Sequence, residues 1–164
     1  MNRQCARTSF LAILLLTAAT AFALGQKTTE ATDKSIDTLV GDHTKFHNFM
    51  TTVQKDVATH NAADMATLLR YPFKSTIKGK EVSLKIPTDF IENYDNIITP
   101  TVAEVIKNQR YEDLFVNYQG VMFGNGELWI AAICRDKSCG QSDLRIITIQ
   151  SPDNLGKKKK RWPL

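Results

Sequence analysis

Residues 123–150 read FGNGELWIAAICRDKSCGQSDLRIITIQ, three apolar runs separated by two turn signals. The first turn is Gly124-Asn125-Gly126, and Asn-Gly accepts the positive φ values that a two-residue hairpin loop requires. After it, Glu127, Trp129, Ala131 and Ile133 alternate with Leu128, Ile130 and Ala132, the period-2 signature of a strand. A last strand is predicted over 144–150. The second turn holds Cys134 and Cys139, with four residues between them. A metal site, a redox couple and a covalent staple are the three readings, and the compartment decides among them.

The compartment is read from the front of the chain. Arg3 and Arg7 precede the apolar run FLAILLL over 10–16, and Ala21-Phe22-Ala23 places small residues at alternate positions. That order is a secretory signal peptide, predicted over 1–23 with cleavage after Ala23, or after Gly25. The alternative is a membrane anchor, but the uninterrupted apolar stretch is shorter than the roughly 20 residues that cross a bilayer. Cys5 lies before the apolar run, so it is no lipoprotein anchor. The expected mature chain is soluble and exported, periplasmic or secreted, with no transmembrane segment.

Export favours the staple. Thiols oxidise outside the cytosol, and cysteines across a hairpin mouth meet disulfide distances. A redox-active pair usually has two intervening residues, and zinc needs further ligands nearby. Charge is also redistributed. Of 21 Lys and Arg, two fall in the leader and five in the tail, which leaves 14 against 17 Asp and Glu over 24–156. The body is mildly acidic despite a sequence pI near 9.0, and without a basic stripe nucleic acid is excluded as an expected partner. About 140 residues make one domain.

Residues 24–41 are polar and Thr-rich, a flexible lead-in. From Thr44 to His60, Phe46, Phe49, Met50, Val53 and Val57 recur at three and four, one face of an amphipathic helix. Asn61 caps a second helix with Asp64 as the return acceptor, and Met65, Leu68 and Leu69 form its buried side. Tyr71-Pro72 ends it. Two short strands follow over 73–77 and 82–86. Thr88 opens a helix burying Phe90, Ile91, Tyr94 and Ile98, which restarts at Thr99-Pro100 with proline at the first helical position. In the stretch after Leu114, Gly120 breaks the strand alternation, as a bulge would. The fold class is α+β, a curved antiparallel sheet wrapped around N-terminal helices, in one domain over 42–150.

Several motifs carry a resemblance: Asn61-x-x-Asp64, Leu69-Arg-Tyr-Pro-Phe73, Phe90-x-x-x-Tyr94-Asp95, Ile98-Thr-Pro100, Leu114-Phe-x-Asn117 and Gly120-Val-Met-x-Gly124-x-Gly-Glu-x-Trp129. They resemble exported bacterial proteins of the nuclear-transport-factor-2-like (SnoaL-like, cystatin-like) superfamily, over about residues 42–150. The resemblance implies a cone-shaped domain. Enzymes of that superfamily place Asp, His and Tyr in the cone's cavity, but no motif here allows their catalytic residues to be transferred, so no catalytic residue is assigned.

Ligand-binding candidates are Arg70, Tyr71, Tyr94, Asp95, Asn117 and Trp129. Tyr94 follows an apolar helix face that would roof a cone's pocket, against the default of a buried ring with a paired hydroxyl. Asp95 is either solvated or bonded to the loop before Pro100. Arg70 either compensates a helix C-terminus or clamps an anion. Trp129 reads most simply as core. His43 and His47 stand four apart without a third ligand, so no metal is expected. His60 reads as a boundary histidine on the buried side without a tuning partner. No serine, cysteine or histidine has a visible base and orienter, and no cofactor is expected.

The tail over 151–164 contains Lys157, Lys158, Lys159, Lys160, Arg161 and Trp162. Consecutive cations repel and read as solvated chain, or as a contact for an anionic surface with Trp162 at the interface. The functional expectation is a non-enzymatic exported protein that binds a protein or small ligand in the envelope, for example an immunity-type inhibitor. The alternative is an isomerase- or dehydratase-like enzyme using groups around Tyr94 and Asp95.

Overall fold

The computed structural model describes residues 28–153; the expected leader, and the tail from 154 onward with its cations and Trp162, lie outside the described residues. Helices come first: α1 (Thr29–Leu39), α2 (His43–Ala58) and α3 (Ala62–Thr67). A hairpin, β1 (Phe73–Ile77) and β2 (Lys80–Leu84), leads to α4 (Pro87–Glu92), α5 (Tyr94–Ile97) and α6 (Pro100–Asn108). After a 3-10 turn (Tyr111–Asp113) come β3 (Phe115–Asn117), β4 (Gly120–Phe123), β5 (Leu128–Cys134) and β6 (Ser142–Ile149). The last four form an open antiparallel meander in the order β3-β4-β5-β6. The fold is therefore α+β, helices followed by antiparallel sheets.

The predicted periodicities explain the core. Phe46, Met50, Val53 and Val57 are the buried stripe of α2. Val102 and Ile106 play the same part in α6, where Thr99 caps the N–H of Val102 and Pro100 opens the helix. Asn61 accepts from the Asp64 N–H and donates back to its carboxylate, so α3 starts as the sequence implies. These residues join Val121, Phe123, Leu128, Ile130, Ile146 and Ile149 of the meander in one cluster. At a few tens of cal/mol per Å² of apolar area, burying these side chains is the dominant stabilising term.

Four readings need correction. The lead-in expected to be flexible contains α1: Thr28 caps the Ala31 N–H, Ile36 is fully buried, and the Tyr111 hydroxyl donates to Asp33 at 2.7 Å. Two buried positions, Thr32 and Ile36, anchor it. Gly120 marks no bulge but the exit of a tight hairpin, with Asn117 paired to Gly120; its φ of +133° suits glycine. The meander thus has two strands, β3 and β4, where a single bulged strand was expected. The Gly124 turn spans four residues instead of two, since Phe123 pairs with Leu128. Strand β2 begins and ends two residues earlier than expected, because Lys78-Gly79, both at positive φ, form the whole turn.

A bulge does occur, in β6. Trp129 pairs with Thr148 but Ile130 pairs with Ile146, so Ile147 is extra. The free edge of β6 is partly closed by the chain after α3: Arg70 N–H donates to the Ile146 carbonyl at 3.0 Å, and Ile146 N–H donates to Leu68 at 2.9 Å. The far end of β6 is clasped to α6, where Thr99 bonds to Ser151 at 2.8 Å and to Asp153 at 3.1 Å.

Candidate functional site

Among the described residues, three places are the strongest candidates for a site. The first surrounds Tyr94, at the break between α4 and α5. Its ring is buried and meets Phe90 and His60 edge-on, with centroids 5.7 and 4.7 Å away. His60, just beyond α2, has φ +55° and places Nε2 3.3 Å from Asp95, the two side chains 67% and 79% exposed. This overturns the reading of His60 as a buried-side residue without a partner, and it gives Asp95 a partner other than the loop before Pro100. Sequence reasoning already placed Tyr94 and Asp95 together; His60 and Asp56 complete the group.

Asp56 was not singled out in the sequence, yet it is the unusual member. Its Oδ2 and the Tyr94 hydroxyl are both buried without a hydrogen-bond partner among the described residues. An unmet buried polar group costs about 1–3 kcal/mol. Burial, and secondarily Asp64, pushes the Asp56 carboxyl above the usual carboxylate range, against the pull of Lys55. Burial, then Asp95 and Asp56, likewise raises the Tyr94 phenol. A carboxyl and a phenol held towards their neutral forms are proton donors in kind. Spacing alone gave no sign of Asp56, a lone acid on the apolar face of α2.

The other predicted residues play local structural parts. Arg70 is exposed and anchors β6 through its backbone. Tyr71 precedes a cis peptide bond to Pro72, and its hydroxyl donates to the Ala66 carbonyl at 3.0 Å. Burial, with Asp89 nearby, pushes that phenol up to about 12. Asn117 accepts from the Gln119 N–H at 2.8 Å and so shapes the β3–β4 turn. Neither Arg70 nor Tyr71 joins the Tyr94 group.

The second place is the outer face of the meander. Phe115 pairs with Met122, and Met122 with Trp129; none of the three is buried. Phe115 and Trp129 meet edge-on at 6.5 Å. Phe115 is 49% exposed, and Tyr118 in the adjacent turn is 84% exposed. Trp129 therefore belongs to this outer face and not to the core, as its parity opposite Leu128 and Ile130 allows.

The third place is a cleft of about 400 Å³ between the α1–α2 corner and the tip of the β5–β6 hairpin, lined among others by Val40, Lys45, Arg135, Gln141, Ser142 and Leu144. Cys134 and Cys139 lie at disulfide-bonding distance at this tip, as the staple reading of the pair requires. Inside the loop, Asp136 accepts from Ser138 at 2.7 Å and from the Gly140 N–H at 3.3 Å, holding its own carboxyl below the usual range. Arg135 makes a two-pronged contact with Asp143.

Among the described residues, no group of three His, Cys, Asp or Glu is placed to hold a metal ion, and no helix is long and apolar enough to cross a membrane. Set beside known protein families, curated proteins and solved structures, the chain matches none of them.

Proposed function

We propose that the chain is an exported, non-enzymatic binding protein that recognises a protein or small ligand in the bacterial envelope, one form being an immunity-type inhibitor of a toxin or hydrolase. The proposal includes a removed leader, a periplasmic or secreted location and a cone-like domain of the nuclear-transport-factor-2-like superfamily. The supporting observation is the outer sheet face: Phe115, Met122 and Trp129 share one surface outside the core, with Tyr118 exposed in the adjacent turn. Aromatic residues and Met are enriched at the centres of protein interfaces, and contiguous exposed apolar surface marks interaction sites.

The test is capture from envelope extract with the wild-type chain and with a Phe115→Ser/Tyr118→Ser variant of unchanged thermal stability. A saturable partner held by the wild type and lost at least tenfold by the variant supports the reading. Equal capture by both chains, or none that saturates, overturns it. The polybasic tail is a separate contact for anionic surfaces, tested by trimming 157–164 and measuring vesicle binding at low and high salt.

The unpartnered Asp56 and Tyr94 favour a second reading, an isomerase- or dehydratase-like enzyme working beside His60 and Asp95. It requires deuterium exchange next to the carbonyl of a small ketone, abolished by Tyr94→Phe. Exchange equal to that of buffer ends it.

A further inference from the structure

We infer that the cleft between the α1–α2 corner and the stapled hairpin tip is a binding site for a small carboxylate carrying a short apolar substituent. Its volume of about 400 Å³ lies within the roughly 300–1,000 Å³ of small-molecule sites. The chemistry of the lining divides in two. Val40 and Leu144 supply an apolar floor, both partly buried against the core. Lys45 and Arg135 supply cationic walls, and Gln141 and Ser142 supply neutral donors.

The charges at this place do not cancel. Asp143 is shared between Arg135 and Arg145. Asp42 is engaged at the start of α2, accepting from the Lys45 N–H at 3.0 Å. The Lys45 ammonium itself has no partner among the described residues. Among the residues that line the cleft, Lys45 and Arg135 stand against Asp42, an excess of one positive charge that a monoanion neutralises. Arg135 is held by Asp143 through Nε and one terminal nitrogen, and a carboxylate reaching the Lys45 ammonium would make a charge-assisted hydrogen bond, the stronger kind.

The wall is also pre-shaped. The Cys134–Cys139 bond, the Asp136 hydrogen bonds and the Arg135 N–H to Gln141 carbonyl bond of 2.9 Å fix the loop before any ligand arrives. A fixed wall spares the ordering cost of binding. The site goes beyond the protein-recognition reading and does not depend on it, because the outer aromatic face takes no part in it.

The experiment titrates the purified, oxidised full chain with hexanoate and with hexanamide, following backbone amide signals by NMR. Saturable shifts centred on Gly41, Gly140 and Gln141 are expected for hexanoate, with at least tenfold weaker response to hexanamide. Lys45→Met should weaken hexanoate at least tenfold, Lys74→Met on β1 should leave it unchanged, and reduction of the disulfide should weaken it several-fold. Equal response to acid and amide, indifference to Lys45→Met, or shifts scattered without saturation would overturn the site. None of these results bears on partner capture by the outer face.

Discussion

The two faces of the four-stranded meander are built from the same strands and the same kinds of residue, yet they have different fates. Inward, Val121, Phe123, Leu128, Ile130 and Ile146 are fully buried. Outward, Phe115, Met122 and Trp129 stand beside them in register and remain partly open. Strand propensity cannot tell the faces apart, because β-branched and aromatic residues serve both. What separates them is whether the helices supply a covering layer. The inner face has one, and the outer face therefore carries apolar surface that the fold itself does not use.

The largest test of that contrast is a matched pair of truncations. Phe123→Ala should cost about 3–5 kcal/mol, the usual range for a large core side chain, whereas Phe115→Ala should cost less than about 1 kcal/mol. Urea unfolding of both variants measures the gap; similar losses would mean the outer face is packed. Next in size is the hairpin that brings β3 beside β4. A Cβ on Gly120 would stand 2.2 Å from the Ile130 carbonyl oxygen at φ +133°, so Gly120→Ala should cost about 2–3 kcal/mol. At Gly79, also at positive φ but with open space around it, the same change should cost about 1 kcal/mol.

Opening the disulfide should remove about 2 kcal/mol, the loop-closure value for so short a ring, with the difference read from urea curves with and without reductant. It should leave the Phe115–Trp129 face untouched, which near-ultraviolet circular dichroism of the tryptophan can check.

The smallest effect concerns the polar intruder in the core. The folded-state pKa of Asp56 is raised, so its contribution is fully present at pH below the ordinary carboxylate value of 3.8 and is lost as pH climbs through the raised value. The carboxylates of Asp37, Glu112, Asp136 and Asp143 are shifted the other way and give the opposite slope. The stability of wild type minus that of Asp56→Asn should therefore fall with rising pH, as urea titrations between about pH 3 and pH 7 would report. A flat difference would show that Asp56 is solvated.

Much of the architecture was legible in the chain because its signals are local. The α2 stripe, the Asn61 cap, Thr99-Pro100 and the alternation of β5 each lie within one element, and each has its expected place. Helix α1 escaped because only Thr32 and Ile36 of its residues are buried, too few to establish a period. The direction of Trp129 escaped because alternation separates two faces without saying which one the helices cover. The cleft escaped for a further reason. Val40 and Lys45 meet Arg135 and Ser142 across some ninety residues of sequence, and no spacing rule reaches that far. Tyr94 and Asp95 were legible as a pair, but His60 and Asp56 come near them only in the folded chain, across more than thirty residues of sequence.

The extra residue in β6 has a consequence for changes in chain length. Inward-facing positions along this strand step from Ile149 to Ile146, a stride of three, before resuming a stride of two at Leu144. Excising Ile147 would close that stride and leave every core-facing side chain pointing where it does now. Excising one residue from β5 has no such slack to absorb it, and half the strand would turn inside out. Of the two longest strands, β6 is thus the one that can lose a residue and keep its fold.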